Sequence, residues 1–330
     1  MFLRKLAALA LCTLMSCASA QTFSFGLWGD MPYKKAGDEL KMPALLASIN
    51  SADIAFSIYD GDFKDGSSAC GDPVYAEALA MFSGMQKPLI YVPGDNEWTD
   101  CHRLTNGGYD PLERLAYLRK TLFPTMNSLG KRSMPLSRQG APGEKYAENA
   151  RFEHKGIAFV TLNIPGSNNN VVLNDKECTS WSARTLAQCE AANAEHVERD
   201  AANTVWLQEA FAGAQARKAR GLVVVMQADP GFDLPETEAV DESRAPGVSG
   251  YRNFIKALVT ETEKFSGQVL LVHGDTHYFK VDKPLYSPAK LLPNLTRLQT
   301  FGSPSLHWVR VAVEAKSQHV FNIQPVIVKH

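Results

Sequence analysis

Four short apolar runs in this chain each end in a Gly-Asp step, and that repetition limits what the chain can become. FSFGLW precedes Gly29-Asp30, IAFSIYD precedes Gly61-Asp62-Phe63-Lys64-Asp65, PLIYVP precedes Gly94-Asp95-Asn96-Glu97, and QVLLVH precedes Gly274-Asp275-Thr276-His277. Apolar runs of this length, bounded by Gly and followed by helix-like sequence, read as buried strands of an α/β sheet. Ligands of such sheets sit outside the carboxyl ends of the strands, so four ends that each carry an Asp point to one acidic site. Carboxylates held together repel unless a cation or a proton intervenes, and a hard metal ion is the natural resolution. A single Gly-Asp after a strand is ordinary turn chemistry, because Asp caps the next helix and Gly takes unusual dihedrals. Four in series, the last extended by Thr-His, favour a site.

The first half alternates strand and helix: helices are expected near 39–50, 72–85 and 110–121 after the first three runs. That rhythm implies a mainly parallel sheet. Residues 127–145 read as a surface loop, and strands follow at 146–153 and 157–162. Residues 166–192 form an insertion with few core-forming residues. A long amphipathic helix is expected over 193–218, burying Val197, Val205, Trp206 and Phe211. GLVVVMQ is a strand, 228–250 a polar Pro-rich loop and 250–265 a helix; the tail offers strands near 297–301, 307–313 and 319–324. No repeat or linker interrupts this order, so one domain is expected over 21–330.

Arg4 and Lys5, the apolar stretch Leu6 to Met15 and the small residues Ala18-Ser19-Ala20 read as a secretory signal over 1–20. The rival reading is a lipoprotein signal ending at Cys17, for which Met15 fits poorly. The chain is therefore expected to be exported, periplasmic or secreted. Four cysteines then remain: Cys70, Cys101, Cys178 and Cys189. An even number in an oxidising compartment reads as two disulfides. Three pairings exist; the preferred one joins Cys178 to Cys189 locally and Cys70 to Cys101 across two acidic loops. No later segment is long and apolar enough to span a membrane. The formal net charge is −1 and there is no basic run, so nucleic acid is not an expected partner.

The order of motifs resembles the calcineurin-like metallophosphoesterase superfamily. Asp30-Met31-Pro32, Gly61-Asp62-Phe63-Lys64-Asp65, Gly94-Asp95-Asn96-Glu97, Gln227 after GLVVVM, and Gly274-Asp275-Thr276-His277 stand where that family carries D-x-H, G-D-x-x-D, G-N-H-E/D, a lone His and G-H-x-H. The resemblance implies a four-layer α/β/β/α sandwich with two mixed central sheets. It also implies hydrolysis of a phosphate mono- or diester by a metal-activated water. By position, a first ion would be held by Asp30, Asp62 and His277, and a second by Asp62, Asp95, Gln227 and Asp275. Only Asp30, Asp62 and His277 keep both type and place. Pro32, Asp95, Asn96, Gln227 and Asp275 are departures, each replacing a family His or Asn.

The departures have a chemical direction. Imidazoles give way to oxygen donors, which suit Mg, Mn or Ca better than Zn, so one or two divalent ions of that kind are the expected cofactor. Four carboxylates would nearly balance two divalent ions and weaken the pull on a phosphate dianion. Asn96, Lys64 and Arg103 are the candidate substrate-binding residues, although long charged side chains usually stay on solvated loops. Asn96 cannot protonate a leaving group, which leaves His102 and His273 as candidate acids. The alternative is a non-catalytic exported binding protein on the same fold. The lost ligands became Asp and Gln rather than apolar residues, which favours an altered metal site over a dead one.

Overall fold

Side-chain alternation along the buried strands decides the architecture, because most of these strands send apolar groups to both faces. The computed structural model describes residues 22–288, 290–314 and 317–329. The expected signal segment and Cys17 lie outside the described residues. In chain order the strands are β1 (Phe23–Trp28), β2 (Ser57–Tyr59), β3 (Leu89–Tyr91), β4 (Ser137–Arg138), β5 (Ala150–His154), β6 (Ile157–Thr161), β7 (Gly221–Val225), β8 (Gln268–His273), β9 (Lys280–Asp282), β10 (Leu285–Ser287), β11 (Lys290–Leu291), β12 (Leu295–Gln299), β13 (Trp308–Val313) and β14 (Phe321–Val326). The helices are α1 (Asp38–Ser51), α2 (Asp72–Gly84), α3 (Pro111–Leu122), the short α4 (Gly166–Asn169) and α5 (Asp175–Thr179), the long α6 (Leu186–Ala216) and α7 (Arg252–Lys264).

Two mixed sheets face each other. One runs β14-β13-β1-β2-β3, the other β4-β5-β6-β7-β8-β12-β9. β1, β2 and β3 are mutually parallel, as are β6, β7, β8 and β12; the outer strands are antiparallel. Phe25 and Leu27 of β1 meet Val223 and Val225 of β7 and Leu270 and Val272 of β8 in the core between the sheets. The alternate residues face outward. Trp28 packs with Leu45, Phe82 and Leu118 of α1–α3, while Leu222, Val224 and Leu271 pack with Leu207 and Phe211 of α6 and Leu258 of α7. The result is helix, sheet, sheet, helix: the expected four-layer α/β/β/α sandwich.

Capping chemistry sets where the helices start. Asp110 accepts the Leu112 N–H at 2.9 Å and Pro111 opens α3. Thr185 and Gln188 form a reciprocal capping box, so α6 begins at Leu186 rather than near 193. The expected insertion over 166–192 is thus partly helical, and Val172, Cys178, Cys189 and Ala192 build a small core of their own. The buried face of α6 runs through Arg199, Asn203, Trp206, Leu207, Ala210, Phe211 and Ala214. That face leaves Val197 and Val205 68% and 52% exposed, which corrects the expectation that both are core. The 127–145 loop carries the edge strand β4. Both expected disulfides are present, Cys70–Cys101 and Cys178–Cys189. Among the described residues no helix is long and apolar enough to cross a membrane.

The contrast between the two kinds of apolar position is measurable. Phe25, fully buried between the sheets and stacked on Phe56 at 5.6 Å between ring centroids, should cost about 3–5 kcal/mol on truncation to Ala. Val205→Ala should stay within about 0.5 kcal/mol. Urea unfolding of the two variants checks this, and equal losses would contradict the assignment of the α6 face.

Candidate functional site

The parallel strands of both sheets end at one edge, and the loops that follow them carry the acids. Asp30 follows β1, Asp62 follows β2, Asp95 follows β3, Gln227 follows β7, and Asp275 and His277 follow β8. Asp30, Asp62, Asp275 and His277 all have left-handed backbone, with φ of 52°, 62°, 75° and 62°. Such positions cost about 1–3 kcal/mol each outside glycine and collect at functional sites. The approach is close enough that a Cβ on Gly94 would collide with Asp62 Oδ1, and one on Gly274 with Asp30 Oδ2.

Glu97 fixes the second and third acidic loops to each other. It is fully buried, and its Oε1 accepts the Asp62 N–H at 3.1 Å, the Gly94 N–H at 2.7 Å and the Tyr91 O–H at 2.7 Å. The Cys70–Cys101 bridge ties the same two loops a second time.

The acids fall into two groups around two neutral donors. Tyr33 Oη lies 3.4 Å from Asp30 Oδ1, 3.2 Å from Asp62 Oδ2 and 3.0 Å from His277 Nε2. His277 Nδ1 donates to the Ser303 carbonyl at 2.8 Å, which leaves Nε2 facing the acids. Asn96 Nδ2 donates to Asp62 Oδ2 at 2.6 Å and to Tyr33 Oη at 3.3 Å. In the second group the Gln227 amide nitrogen donates to Asp95 Oδ1 at 3.1 Å, Asp62 Oδ2 at 3.3 Å and Asp275 Oδ1 at 3.4 Å. The other end of the carboxamide is committed: Gln227 Oε1 accepts the Gly166 N–H at 2.5 Å.

Among the described residues no group of three or more His, Cys, Asp and Glu side chains is gathered so as to hold a metal ion as it stands; Tyr33 and Gln227 stand between the acids. The donor chemistry separates the two groups. At the first, Asp30, Asp62 and His277 Nε2 surround the Tyr33 hydroxyl, and the His277 imidazole is oriented through its far nitrogen as metal-ligating imidazoles are; these residues suit one hard cation. At the second, Gln227 presents hydrogens where a ligand must present a lone pair, and these residues do not suit an ion. Gln227, expected as a metal ligand, thus turns its amide nitrogen to the acids.

Other expected site residues are placed as follows. Lys64 is 4% exposed, not on a solvated loop; its ammonium donates to the Asp65 and Asn96 carbonyls at 2.8 and 2.9 Å. Arg103 is half-exposed, pairs with Asp100 at 2.7 Å and reaches Ser167 Oγ at 3.4 Å. His102 lies beside Arg103 and Arg184. Burial first, and then those two guanidinium charges, push its pKa down to about 3, so the ring is neutral at physiological pH. His273 is wholly enclosed, its Nδ1 against the Gly274 carbonyl, and among the described residues no hydrogen bond joins its ring to the acids.

Sequence reasoning passed over four participants. Tyr33 follows Asp30 by three residues, a visible signal. Asp60, in the second acidic segment itself, is fully buried and accepts the Thr300 hydroxyl at 2.8 Å. Ser167 and Asp100 gave no signal: Ser167 Oγ donates to Asp95 Oδ2 at 2.8 Å and Asp100 Oδ1 at 2.7 Å, crossing from α4 to the third acidic loop.

Burial raises the pKa of Asp30 despite its bonds to His277, and raises Asp62 and Asp275 far above the ordinary carboxylate range, with Asp95 the largest added repulsion for both. Asp100 is pushed up to about 8, mainly by burial. His277 is raised too, because the Asp30 bond and charge outweigh its burial.

No family model and no curated protein matches this sequence. Solved structures do. PhoD matches with 10% identity and a TM-score of 0.54, over 89% of this chain and 64% of that one. GAP50, the anchor in the inner membrane complex of Plasmodium, matches with 15% identity and a TM-score of 0.44, over 94% of this chain and 90% of that one. The Thermus thermophilus sulfate thiohydrolase SoxB, in complex with glycerol, matches with 14% identity and a TM-score of 0.41, over 86% of this chain and 42% of that one. The chain thus spans less than two thirds of PhoD and of SoxB. The two-sheet architecture and the PhoD likeness show that this chain has the calcineurin-like metallophosphoesterase fold.

A pH profile follows from the raised groups. Each favours folding while protonated, so its contribution is complete below the unfolded carboxylate or imidazole pKa and is lost as pH rises through the folded one. In chelator, the melting temperature should fall between about pH 7 and about pH 9, above the range where the buried neutral imidazoles act with the opposite sign, with the Asp100 loss centred near pH 8. A flat or rising profile would contradict the burial of these acids.

Proposed function

We propose that this chain is a metal-dependent phosphoester hydrolase, with one divalent cation held by Asp30, Asp62 and His277. One observation carries the reading: buried acids from four strand ends converge in a phosphoesterase fold, held by neutral donors, and among the described residues no Lys or Arg side chain hydrogen-bonds or ion-pairs with Asp30, Asp62, Asp95 or Asp275. Buried charge in that state requires a cation or protons. When bound, a divalent ion there would polarise a phosphoryl oxygen and acidify an attacking water. The chain's own residues do the rest. Asn96 and Tyr33 orient Asp62, Glu97 holds the Asp62 backbone, and Ser303 fixes the His277 ring.

Charge narrows the substrate. One divalent ion against Asp30, Asp62, Asp95 and Asp275 leaves a centre that attracts a dianion poorly, so a phosphodiester monoanion suits it better than a phosphomonoester. Beside the acids lies a cavity of about 460 Å³ lined by Asp100, His102, Arg103, Ser167, Trp181 and Arg184 among others, and we place the leaving group there. With His102 neutral and His273 enclosed, neither stands ready to protonate that group. Esters of low-pKa alcohols, such as aryl esters, are the expected substrates. The two disulfides fit an oxidising compartment, in keeping with export.

The second reading is a non-catalytic binding protein on this fold, favoured by Tyr33 and Gln227 standing between the acids. Turnover of bis(4-nitrophenyl) phosphate, with 4-nitrophenyl phosphate for comparison, separates the two. The hydrolase reading expects metal-stimulated diester cleavage, slower monoester cleavage, and a loss of about 100-fold or more in folded Asp62→Asn. No turnover of either ester with Mg, Mn, Ca, Fe or Zn would favour the binding protein.

A further inference from the structure

We propose that the Gln227 carboxamide takes the place of a second cation, so that this site accepts one divalent ion at most, and that a ligand with a free lone pair at position 227 restores the second. The inference rests on the cation reading above for the first position and on Gln227 alone for the second.

The orientation of the amide is fixed by its surroundings. Gln227 is fully buried, and its oxygen takes the Gly166 N–H at 2.5 Å. Turning the carboxamide over would set an NH₂ against that N–H and a carbonyl oxygen against three carboxylate oxygens. Its stem cannot swing away, because Gly61 lies so close that a Cβ there would meet Gln227 Cβ at 2.8 Å. The nitrogen therefore stays between Asp62, Asp95 and Asp275 and cross-links all three.

The remaining oxygens of this group are also taken. Asp95 Oδ2 accepts the Ser167 hydroxyl at 2.8 Å, and Asp275 Oδ2 accepts the Asp229 N–H at 3.2 Å. Every carboxylate oxygen of Asp95 and Asp275 thus has a neutral donor. An ion entering here would have to expel the amide and leave the Gly166 N–H without its partner, at the cost of a buried unsatisfied group. The first position differs in its ligand: His277, whose Nδ1 donates to the Ser303 carbonyl, presents the lone pair of Nε2 beside Asp30 and Asp62.

The experiment is a metal count on the mature chain. Wild type, Gln227→His and Gln227→Glu are stripped with chelator and checked for folding by circular dichroism. They are then saturated with Mn and counted by native mass spectrometry and elemental analysis. The expected result is one Mn in wild type and two in at least one folded variant. Two Mn in wild type would overturn the proposal, as would folded variants that bind no more Mn than wild type. If wild type binds none and a variant gains one, the Gln227 inference stands and the cation reading at Asp30, Asp62 and His277 fails. If neither variant folds, the wild-type count decides: one or none supports the proposal and two overturns it.

Discussion

The structure turns on how buried like charges are tolerated at one edge of two mixed β-sheets, where their parallel strands end. Asp30, Asp62, Asp95 and Asp275 are brought together because the strands they follow run the same way and end together. Nothing about their mutual repulsion favours this. It is offset by a ring of neutral donors: the Tyr33 hydroxyl, the Asn96 and Gln227 amides, the Ser167 hydroxyl, and the backbone N–H groups of Asn96, Asp229 and Asp275. Hydrogen bonds to ionised acceptors are stronger than neutral ones. Such donors still carry no net charge, so the cluster stays short of positive charge.

That constraint explains features of the scaffold that would otherwise look excessive. Glu97 spends one carboxylate oxygen on two backbone N–H groups and a tyrosine hydroxyl, and the Cys70–Cys101 bridge spans the same loops. The chain arriving from the other sheet is held as firmly. Arg199 of α6, wholly buried, donates to the Asn163 carbonyl at 2.8 Å and to Asn169 Oδ1 at 2.5 Å, fixing the segment that carries Gly166 and Ser167. Segments from both sheets are therefore clamped beside the acids, and Glu97 holds the left-handed Asp62 through its backbone N–H.

The fold was legible because its signals are local. The four apolar runs followed by Gly-Asp announce strands whose carboxyl ends matter, whereas sequence reasoning passed over the Thr185 and Gln188 capping box that starts α6 at Leu186 and expected the helix only from 193. Where the signal is weaker, the reading fails. Val197 and Val205 are as apolar as the core of α6, but they lie off the face that its tertiary neighbours cover. The same holds at the site. Asp30, Asp62 and His277 announce themselves by type and motif, whereas Ser167 reaches Asp95 from far along the chain with no local mark.

The sequence by itself determined which residues are acids, which strands they follow and that these strands are parallel and buried, because periodicity and turn chemistry act over a few neighbouring residues. Only the tertiary structure decided what those acids meet. Gln227 reads in sequence as an oxygen donor among oxygen donors. Its oxygen is claimed by the Gly166 N–H, from a segment 61 residues earlier in the chain, and so its hydrogens face the carboxylates. A carboxamide carries a donor and an acceptor on one side chain, and which end faces the site depends on partners that only the folded chain brings near.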